Sequence, residues 1–303
     1  MKEEKEELKS KDTLGDRMKT YEANALDLNC SKDSYVVIRL DGNHFHTWVK
    51  SVGLKKPFDM RMISAIQKAT LELCKRIPTC IMGYCQSDEI TLVLKKGENE
   101  KSEAWFNNRV QKLCSISASI CSVAFNDAIQ EQFDDEYFER AYFDSRVIFL
   151  PSLDEVVNCL IWRQNDCIKN SVATYAQSMF PQKQLLNKCQ NEQIEMMLKL
   201  KGEDWNKLST VKKMGTLVHK ELRSGVATHW SSKENKFIDE KFTRGMFFVD
   251  EEIPRFSTNK QFLIDAYNFK TVAQDEEIPS FSTNMQFLID ANNFKTETKD
   301  DKI

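Results

Sequence analysis

The chain contains an apolar, β-branched run that ends on a carboxylate and a glycine, YVVIRLDG at residues 35–42. The acidic pair Asp88-Glu89 follows later, between two further apolar runs at residues 80–85 and 90–94. Short runs of this kind predict β-strands. If all three belong to one sheet, Asp41 lies at the end of a central strand and Asp88 in the turn of a neighbouring hairpin. Two carboxylates that meet in this way form a hard-oxygen site suited to Mg²⁺, so the pattern indicates phosphoryl or nucleotidyl transfer.

The order of predicted elements indicates the fold. Residues 35–150 predict a β-α-β-β-α-β series, with strands at 35–40, 80–86, 89–95 and 142–150 and helices at 59–76 and 102–129. This series is the split βαβ arrangement, an antiparallel four-stranded sheet with both helices on one face. We therefore predict an α+β fold with a palm of the polymerase and cyclase type, followed by a mainly helical C-terminal extension.

The chain divides into three predicted regions. Residues 1–150 hold an N-terminal helix (14–28) and the catalytic palm, and residues 151–249 form a helical, fingers-like region that contacts RNA. Residues 250–303 are an acidic tail with a duplication, because residues 250–271 recur at 275–296 with 19 of 22 positions identical. Two copies are too few for a solenoid. We therefore expect the tail to be partly disordered.

Composition limits the function classes. The 303 residues carry a net charge of −3, and residues 250–303 hold 11 acidic and 6 basic side chains, so the rest of the chain is mildly basic. Nucleic-acid contacts must therefore come from local patches. No apolar run reaches the roughly 20 residues that span a bilayer, and the N-terminus lacks a signal pattern, so we expect a cytoplasmic protein with no membrane partner. The nine cysteines show no zinc or disulfide spacing.

Each candidate side chain also has an ordinary structural interpretation. An Asp after a strand is usually a turn or capping residue, yet Asp41 and Asp88 together at palm topology favour a metal site. Glu89 is open: a metal ligand, a group that orients a ligand, or an exposed strand residue. Arg146 lies within a strand, where its charge needs a partner or a phosphate. The pair Lys212-Lys213 either meets RNA phosphates or is solvated.

Five ordered motifs carry a resemblance to a known family. They are IRLDGNHFH at 38–46, KPFD at 56–59, GYCQSDE at 83–89, YFDSRV at 142–147 and WRQNDC at 162–167. In order and spacing they resemble the tRNA-histidine guanylyltransferase superfamily over residues 13–220. The resemblance implies a palm with two Mg²⁺ ions that uses ATP and GTP and adds nucleotides to the 5′ end of an RNA, which is 3′-to-5′ growth. It also implies a homotetramer and a tRNA, or another structured RNA, with a 5′-monophosphate.

The resemblance also implies roles for individual residues. The metal ligands correspond to Asp41, the backbone of Gly42, and Asp88, and the catalytic set is Asp41, Asp88 and Glu89. The positions that hold nucleoside triphosphates are Asn43, His44, Phe45, His46, Lys56, Ser87 and Asp88. Of the two histidines, we expect one to touch the nucleotide and the other to pack. Phosphate-gripping positions on the second helix correspond to Arg109 and Lys112, and Arg146, Lys212 and Lys213 complete the predicted RNA contacts.

One departure from the family pattern changes the expected substrate. In the histidine-tRNA enzymes the last motif runs into HINNLYNT, which serves recognition of that tRNA, whereas here it runs into IKNSVAT at 168–174. The chain therefore resembles the guanylyltransferase-like branch, which repairs 5′-truncated tRNA by templated addition. The alternatives are a histidine-tRNA G−1 guanylyltransferase, a class III-type nucleotide cyclase and a non-catalytic RNA-binding homologue. The cyclase signature GG(D/E)EF is absent, and intact Asp41, Asp88 and Lys56 argue against the non-catalytic reading.

Overall fold

The computed structural model describes residues 34–97, 103–133, 139–231 and 234–269. The chain divides into two compact units, Met1–Lys270 and Thr271–Ile303, and all described residues belong to the first. The helix predicted at 14–28 and the second copy of the repeat lie outside the described residues. Within the described ranges no helix is both long and apolar enough to cross a bilayer. The eight cysteines of those ranges are free thiols.

Six strands and eight α-helices make up the described part of the chain. The strands are β1 (Tyr35–Gly42), β2 (Cys80–Gln86), β3 (Glu89–Leu94), β4 (Phe143–Leu150), β5 (Thr216–Ser231) and β6 (Lys236–Asp250). The helices are α1 (Phe45–Ser51), α2 (Met60–Arg76), α3 (Val110–Gln130), α4 (Leu153–Gln177), α5 (Gln182–Leu185), α6 (Gln190–Lys201), α7 (Thr210–Met214) and α8 (Lys260–Tyr267). Short 3₁₀ turns occur at Trp105–Asn108 and Trp205–Lys207.

The strands form one antiparallel sheet in the order β4-β1-β3-β2-β5-β6. Its first four strands have the predicted split βαβ order, so the palm prediction is confirmed. The register places Asp41 of β1 opposite Glu89 of β3 on one side and opposite Asp144 of β4 on the other. The sheet therefore gathers acidic residues at one end of three neighbouring strands.

Alternate residues of the strands pack against different helices. One face, with Ile38, Leu40 and Leu92, packs against α2 and α3 in a fully buried core. The other face, with Val37 and Val93, packs against α4 and α8. Because strand side chains alternate between faces, Asp41 lies on the same face as Val37 and is directed toward the α4 side.

The C-terminal extension is helical for most of its length up to Met214, as predicted, and then adds two strands that the sequence analysis does not predict. Helices account for most of Leu153–Met214, but β5 and β6 then form a long hairpin, and β5 joins the palm sheet through the pair Gly83↔Val218. On one face of β5 the apolar residues are Val218, Leu222, Val226 and Trp230, four positions apart, with polar residues between them. A spacing of four is close to a helical repeat as well, so the pattern does not separate strand from helix.

The chain does not divide into compact units at the predicted boundary at residue 250. The first copy of the repeat is part of the core, because Ile253, Phe256 and Leu263 are buried against α4 and the sheet. The side chain of Gln164 accepts a hydrogen bond from the Phe256 N–H (2.7 Å) and donates one to the Pro254 carbonyl (3.0 Å). The first compact unit accordingly extends to Lys270.

Candidate functional site

The end of β1 and the β2–β3 turn are joined directly. The Gly42 N–H donates a hydrogen bond to the Asp88 carbonyl oxygen (3.0 Å), so the residue after Asp41 is fixed against the turn that carries Asp88. Glu89 lies opposite Asp41 in the β1–β3 register. The structure thus brings Asp41, on the α4 side of the sheet, next to the turn that carries Asp88, so the two predicted metal ligands are neighbours.

Asp88 is crowded and partly buried. Ser87 adopts a left-handed backbone conformation (φ 48°), and its hydroxyl donates a hydrogen bond to Asp88 Oδ1 (3.0 Å). Burial, together with the smaller effect of the nearby charges of Asp41 and Glu89, raises the pKa of Asp88 to about 6, and the Ser87 hydrogen bond opposes this rise. A divalent cation would offset this crowding of negative charge.

The donor set at this site suits Mg²⁺. Within the described ranges no group of three His, Cys, Asp or Glu side chains converges as a ready-made metal cluster. Asp41, Asp88 and the Gly42 carbonyl instead offer a small set of hard oxygens. Mg²⁺ is commonly held by one or two carboxylates, with the remaining positions filled by water and substrate phosphates. The residues present therefore fit a metal that binds together with a nucleotide.

Glu89 has a different role from the one its position in the motif suggests. Arg163 of α4 binds both of its carboxylate oxygens, with Nε 2.6 Å from Oε1 and Nη2 2.7 Å from Oε2. Both side chains are nearly buried, and Arg163 also contacts Asp166 at 2.9 Å. Among the three alternatives, the geometry favours a group that orients its neighbours over a ligand or an exposed residue.

Arg146 lies on the same face of the sheet as Asp41. Its Nη2 is 3.5 Å from Asp41 Oδ2 and 3.2 Å from Asp144 Oδ1. Half of the Arg146 side chain is exposed, and neither contact has short charge-assisted geometry. The guanidinium is therefore accessible to a phosphate next to the acidic residues.

The loop after Asp41 divides into exposed and buried residues. Asn43, His44 and His46 are exposed, so the prediction that one histidine packs is wrong. Phe45 packs instead: its ring lies in an aromatic cluster with Trp48, Phe125 and Phe143. A Cβ at Gly42 would lie 2.1 Å from the Phe45 ring, so only glycine allows this approach. The Phe45 ring belongs to the core. Only its backbone and the exposed neighbouring side chains are therefore available to contact a nucleotide.

Lys56 belongs to the same corner of the molecule. The positive charges of Lys50 and Lys56 lower the pKa of the exposed His46, which places both ammonium groups near that ring. Lys56 is itself exposed. The structure thus gathers cationic and hydrogen-bonding groups immediately after the acidic end of β1, where a triphosphate bound to Asp41 and Asp88 would need them.

Arg109 and Lys112 do not join this site within one chain. Helix α3 packs against β4, and its Ser122 hydroxyl accepts a hydrogen bond from the Phe143 N–H (3.2 Å) near the acidic end of the sheet. Arg109 precedes Ser122 by 13 residues, which is roughly 20 Å of helix, toward the opposite end of β4. Ser117, which bonds to Ser145 (2.8 Å), confirms this direction.

Lys212 and Lys213 lie on α7 beside α4. Lys213 Nζ donates to the Asn206 carbonyl (2.7 Å) and lies 5.7 Å from the centre of the Trp205 ring. The Lys212 carbonyl accepts a hydrogen bond from Ser171 of α4 (2.7 Å). The Lys213 ammonium therefore serves local packing, while the Lys212 side chain is partly exposed.

Comparison with known proteins identifies the family of this chain. The model of the family described as Thg1, tRNAHis guanylyltransferase, matches residues 15–151. An uncharacterised protein of Acanthamoeba polyphaga mimivirus is 30% identical over 230 residues, which cover 69% of this chain and 77% of that protein. A bacterial tRNA(His) guanylyltransferase (Thg1)-like protein, solved in complex with ATP, matches with a TM-score of 0.71 and 32% identity over 85% of this chain and all of that one.

The chain belongs to the tRNAHis guanylyltransferase family. A bacterial Thg1-like protein solved in complex with GTP matches with a TM-score of 0.66 and 32% identity, over 84% of this chain and 99% of that one. The fold of this Thg1-family chain is thus the nucleotidyltransferase palm of its relatives.

Sequence reasoning missed several residues that shape this Thg1-family site. Arg163 and Asp144 belong to two of the motifs, but nothing in the sequence indicates that they form ion pairs. Gln86 is buried at the end of β2 and its side chain donates to the Arg163 carbonyl (3.3 Å). Its position three residues before Glu89 in the hairpin motif was the available signal. Nothing in the sequence indicates that the partner of Gln86 is Arg163, on a helix 77 residues away.

Proposed function

We propose that this chain is a Mg²⁺-dependent nucleotidyltransferase that activates the 5′ end of an RNA with ATP or GTP and then adds nucleotides in the 3′-to-5′ direction, templated by the opposing strand. The observation that carries the proposal is the close approach of Asp41, on the α4 side of the sheet and beside Arg146, to the turn that carries Asp88. Family membership and the ATP and GTP complexes of bacterial relatives support it.

The chemistry has two steps. An oxygen of the RNA 5′-monophosphate attacks the α-phosphorus of ATP or GTP, pyrophosphate leaves, and a 5′–5′ linked nucleotide activates the end. The 3′-hydroxyl of an incoming nucleoside triphosphate then attacks the activated 5′-phosphate, and AMP or GMP leaves. Both steps move negative charge among phosphates, so catalysis consists mainly of positioning and charge stabilisation.

Each candidate residue has a part in these steps. Asp41, Asp88 and the Gly42 carbonyl would hold two Mg²⁺ ions, which when bound lower the pKa of the attacking hydroxyl and stabilise charge on the leaving phosphates. Arg146 binds the phosphate of the RNA end. Asn43, His44, His46, Lys56 and Ser87 bind the triphosphate around the end of β1. Arg163 keeps Glu89 in place behind the acidic pair.

The segment after the WRQNDC motif supports templated repair over recognition of one tRNA. Where the histidine-specific pattern begins, this chain has Ile168, and Ser171 three residues on is buried. The Ser171 hydroxyl donates to the Lys212 carbonyl and accepts from Trp205 Nε1 (3.0 Å). Ser171 therefore serves the packing of α4 against α7, and we propose that selectivity comes from base pairing within the RNA.

Assembly and location remain proposals. Since Arg109 and Lys112 lie far along α3 from Asp41, we propose that they grip RNA bound at a second chain of a homotetramer. Light scattering of the purified protein gives the oligomeric state, and a monomer would contradict this part. A cytoplasmic location stays a prediction.

The experiment uses a 5′-³²P-labelled tRNA that lacks its first nucleotide, with Mg²⁺ and all four nucleoside triphosphates. We expect growth at the 5′ end that follows the opposing base when that base is changed, and no growth after chelation of the metal. Addition of a single guanosine to intact tRNAHis alone, regardless of the opposing base, would contradict the templated proposal. Pyrophosphate release from ATP without RNA would indicate a cyclase instead.

A further inference from the structure

Trp162 of α4 is a large aromatic side chain that the core does not use. Its neighbours in the WRQNDC motif, Arg163 and Gln164, are buried, whereas 54% of Trp162 is exposed. Single exposed apolar residues are ordinary on protein surfaces. Trp162 differs from them in two ways. Two guanidinium groups hold its ring, and the ring lies beside the charged face of the sheet.

The ring of Trp162 is fixed by two arginines. The Arg163 guanidinium lies 4.4 Å from the ring centre and the Arg39 guanidinium 5.7 Å from it. Arg163 is itself locked by its two contacts to Glu89, and Arg39 projects from the central strand β1. An aromatic ring that is held in one orientation while half exposed is preorganised for a flat partner, since little side-chain freedom remains to be lost on binding.

The ring also lies beside the candidate active site. Arg39, which contacts it, precedes Asp41 by two residues on the same face of β1, a separation of roughly 7 Å. Arg39 is opposite Arg146 in the β1–β4 register. Across this face the Trp162 ring contacts Arg39, Arg39 pairs with Arg146, and Arg146 contacts Asp41.

We propose that the exposed face of Trp162 stacks on a nucleobase of the substrate bound at Asp41 and Asp88. The inference rests on the proposed function. The base belongs either to the nucleoside triphosphate or to the 5′-terminal nucleotide of the RNA, and both offer the same π-face. Stacking of this kind tolerates every base, which suits an enzyme whose sequence choice comes from a template.

The test compares Trp162→Ala with Trp162→Phe, which keeps an aromatic face, and with Trp230→Ala on the β5–β6 hairpin. Trp230 is a matched control because 50% of it is exposed and its ring contact is Phe237 of the same hairpin. Affinity is measured for ATP without RNA, and for a 5′-phosphorylated RNA with and without its terminal base. Thermal unfolding of each variant accompanies the measurements.

We expect Trp162→Ala to weaken binding of one ligand by roughly 5- to 150-fold, the range of base–aromatic stacking. A loss confined to ATP assigns the base to the triphosphate. A loss confined to RNA assigns it to the RNA end, and in that case removal of the terminal base weakens binding to the wild type but not to Trp162→Ala. Trp162→Phe should retain most of the affinity and Trp230→Ala all of it.

Two results overturn the inference. One is unchanged affinity of Trp162→Ala for both ligands. The other is an equal loss in Trp162→Ala and Trp162→Phe that follows a drop in unfolding temperature, which indicates packing alone. Failure of the proposed function looks different, because the wild type then adds no nucleotide to any RNA, whereas the two binding measurements still report whether Trp162 meets a base.

Discussion

The two faces of the palm sheet are made by alternate residues of the same strands, yet they differ in kind. The face against α2 and α3 stays apolar along β1, with Ile38 and Leu40 fully buried. The face against α4 begins apolar at Val37 and then changes to Arg39 and Asp41. The closed face holds the fold together, and the other face combines a core at one end with an accessible charged surface at the other.

Two arginines on the α4 side show the same difference between a buried and an accessible group. Arg163 is nearly buried and binds both oxygens of Glu89, whereas Arg146 is half exposed and contacts two acids at 3.2 and 3.5 Å. The first arginine is built into the structure, and the second is available to a substrate. Stability and activity should therefore separate when each is changed.

The largest effect is expected from the acidic pair. Under the proposed function, Asp41→Asn or Asp88→Asn should lower nucleotide addition by at least about 10²-fold, since each would remove a proposed ligand of the metal that stabilises the transferring phosphates. The unfolding temperature should stay equal or rise, because one of two crowded carboxylates is neutralised. Rates and thermal unfolding check both parts. Asp127→Asn on the exposed surface of α3 is the control, and activity of either site variant within tenfold of that control would contradict the assignment.

The buried arginine should affect stability most. Arg163→Met leaves Glu89 buried without its partner and should lower the free energy of unfolding by about 3–5 kcal/mol in urea titration. Adding Glu89→Leu removes the orphaned charge and should restore a large part of that loss. If Arg163→Met unfolds at the wild-type urea concentration, the ion pair has no structural role.

The next largest effect on stability is expected at Gly42, where the end of β1 approaches the aromatic cluster closely. Gly42→Ala places a methyl group 2.1 Å from the Phe45 ring and should lower the free energy of unfolding by about 1–3 kcal/mol, as overpacking does. Adding Phe45→Leu provides room and should return part of the loss. Equal losses in the single and double variants would show that the contact with Phe45 is not the cause.

A pH effect is expected at the start of α2. Asp59 caps this helix and accepts a hydrogen bond from the Arg61 N–H (3.0 Å). The hydrogen-bonded Arg61 guanidinium lowers the pKa of Asp59 to about 2 from an ordinary 3.8, so its carboxylate stabilises the fold above about pH 4 and loses this effect as the pH falls toward 2.

Asp59→Ala should therefore cost about 1–2 kcal/mol at neutral pH, with a difference from wild type that shrinks toward pH 2. Asp59→Asn retains a capping side chain and should lose less. Urea unfolding at several pH values gives the comparison. A difference that stays constant from pH 7 to pH 2 would exclude the carboxylate as its source.

The smallest effect on stability is expected at the exposed arginine. Arg146→Ala should change the free energy of unfolding by less than about 0.5 kcal/mol, as exposed pairs do. It should nevertheless raise KM for 5′-phosphorylated RNA by about tenfold, the value of one charge-assisted hydrogen bond to phosphate. Steady-state kinetics with RNA as the varied substrate measure this. An unchanged KM would remove Arg146 from the substrate site.

The palm could be predicted from sequence because its signals are local. Strand β2 has its predicted bounds, and the helix predicted to start near Asp59 does so, since Asp59 is a good capping residue beside Pro57. The juxtaposition of Asp41 and Asp88 followed from topology. These features depend on apolar periodicity and capping, which a single sequence displays.

The remaining features depend on contacts between distant residues. Nothing near Glu89 indicates that Arg163, 74 residues later, binds it. The acidic composition of the first repeat copy predicts a tail, yet Phe256 is buried in the core, and its N–H donates a hydrogen bond to Gln164, 92 residues earlier. The burial of Phe45 in place of a histidine likewise follows from an aromatic cluster that only the fold assembles.

The number of divalent ions bound at the end of β1 decides whether Asp41 and Asp88 hold the metal. Titration of Mn²⁺ in the presence of ATP, followed by electron paramagnetic resonance, should give two bound ions per chain for the wild type and at most one for Asp41→Asn and for Asp88→Asn. The same count in the wild type and in the variant that carries both substitutions would show that these carboxylates do not hold the metal, and the account of this face as a nucleotidyl-transfer site would be wrong.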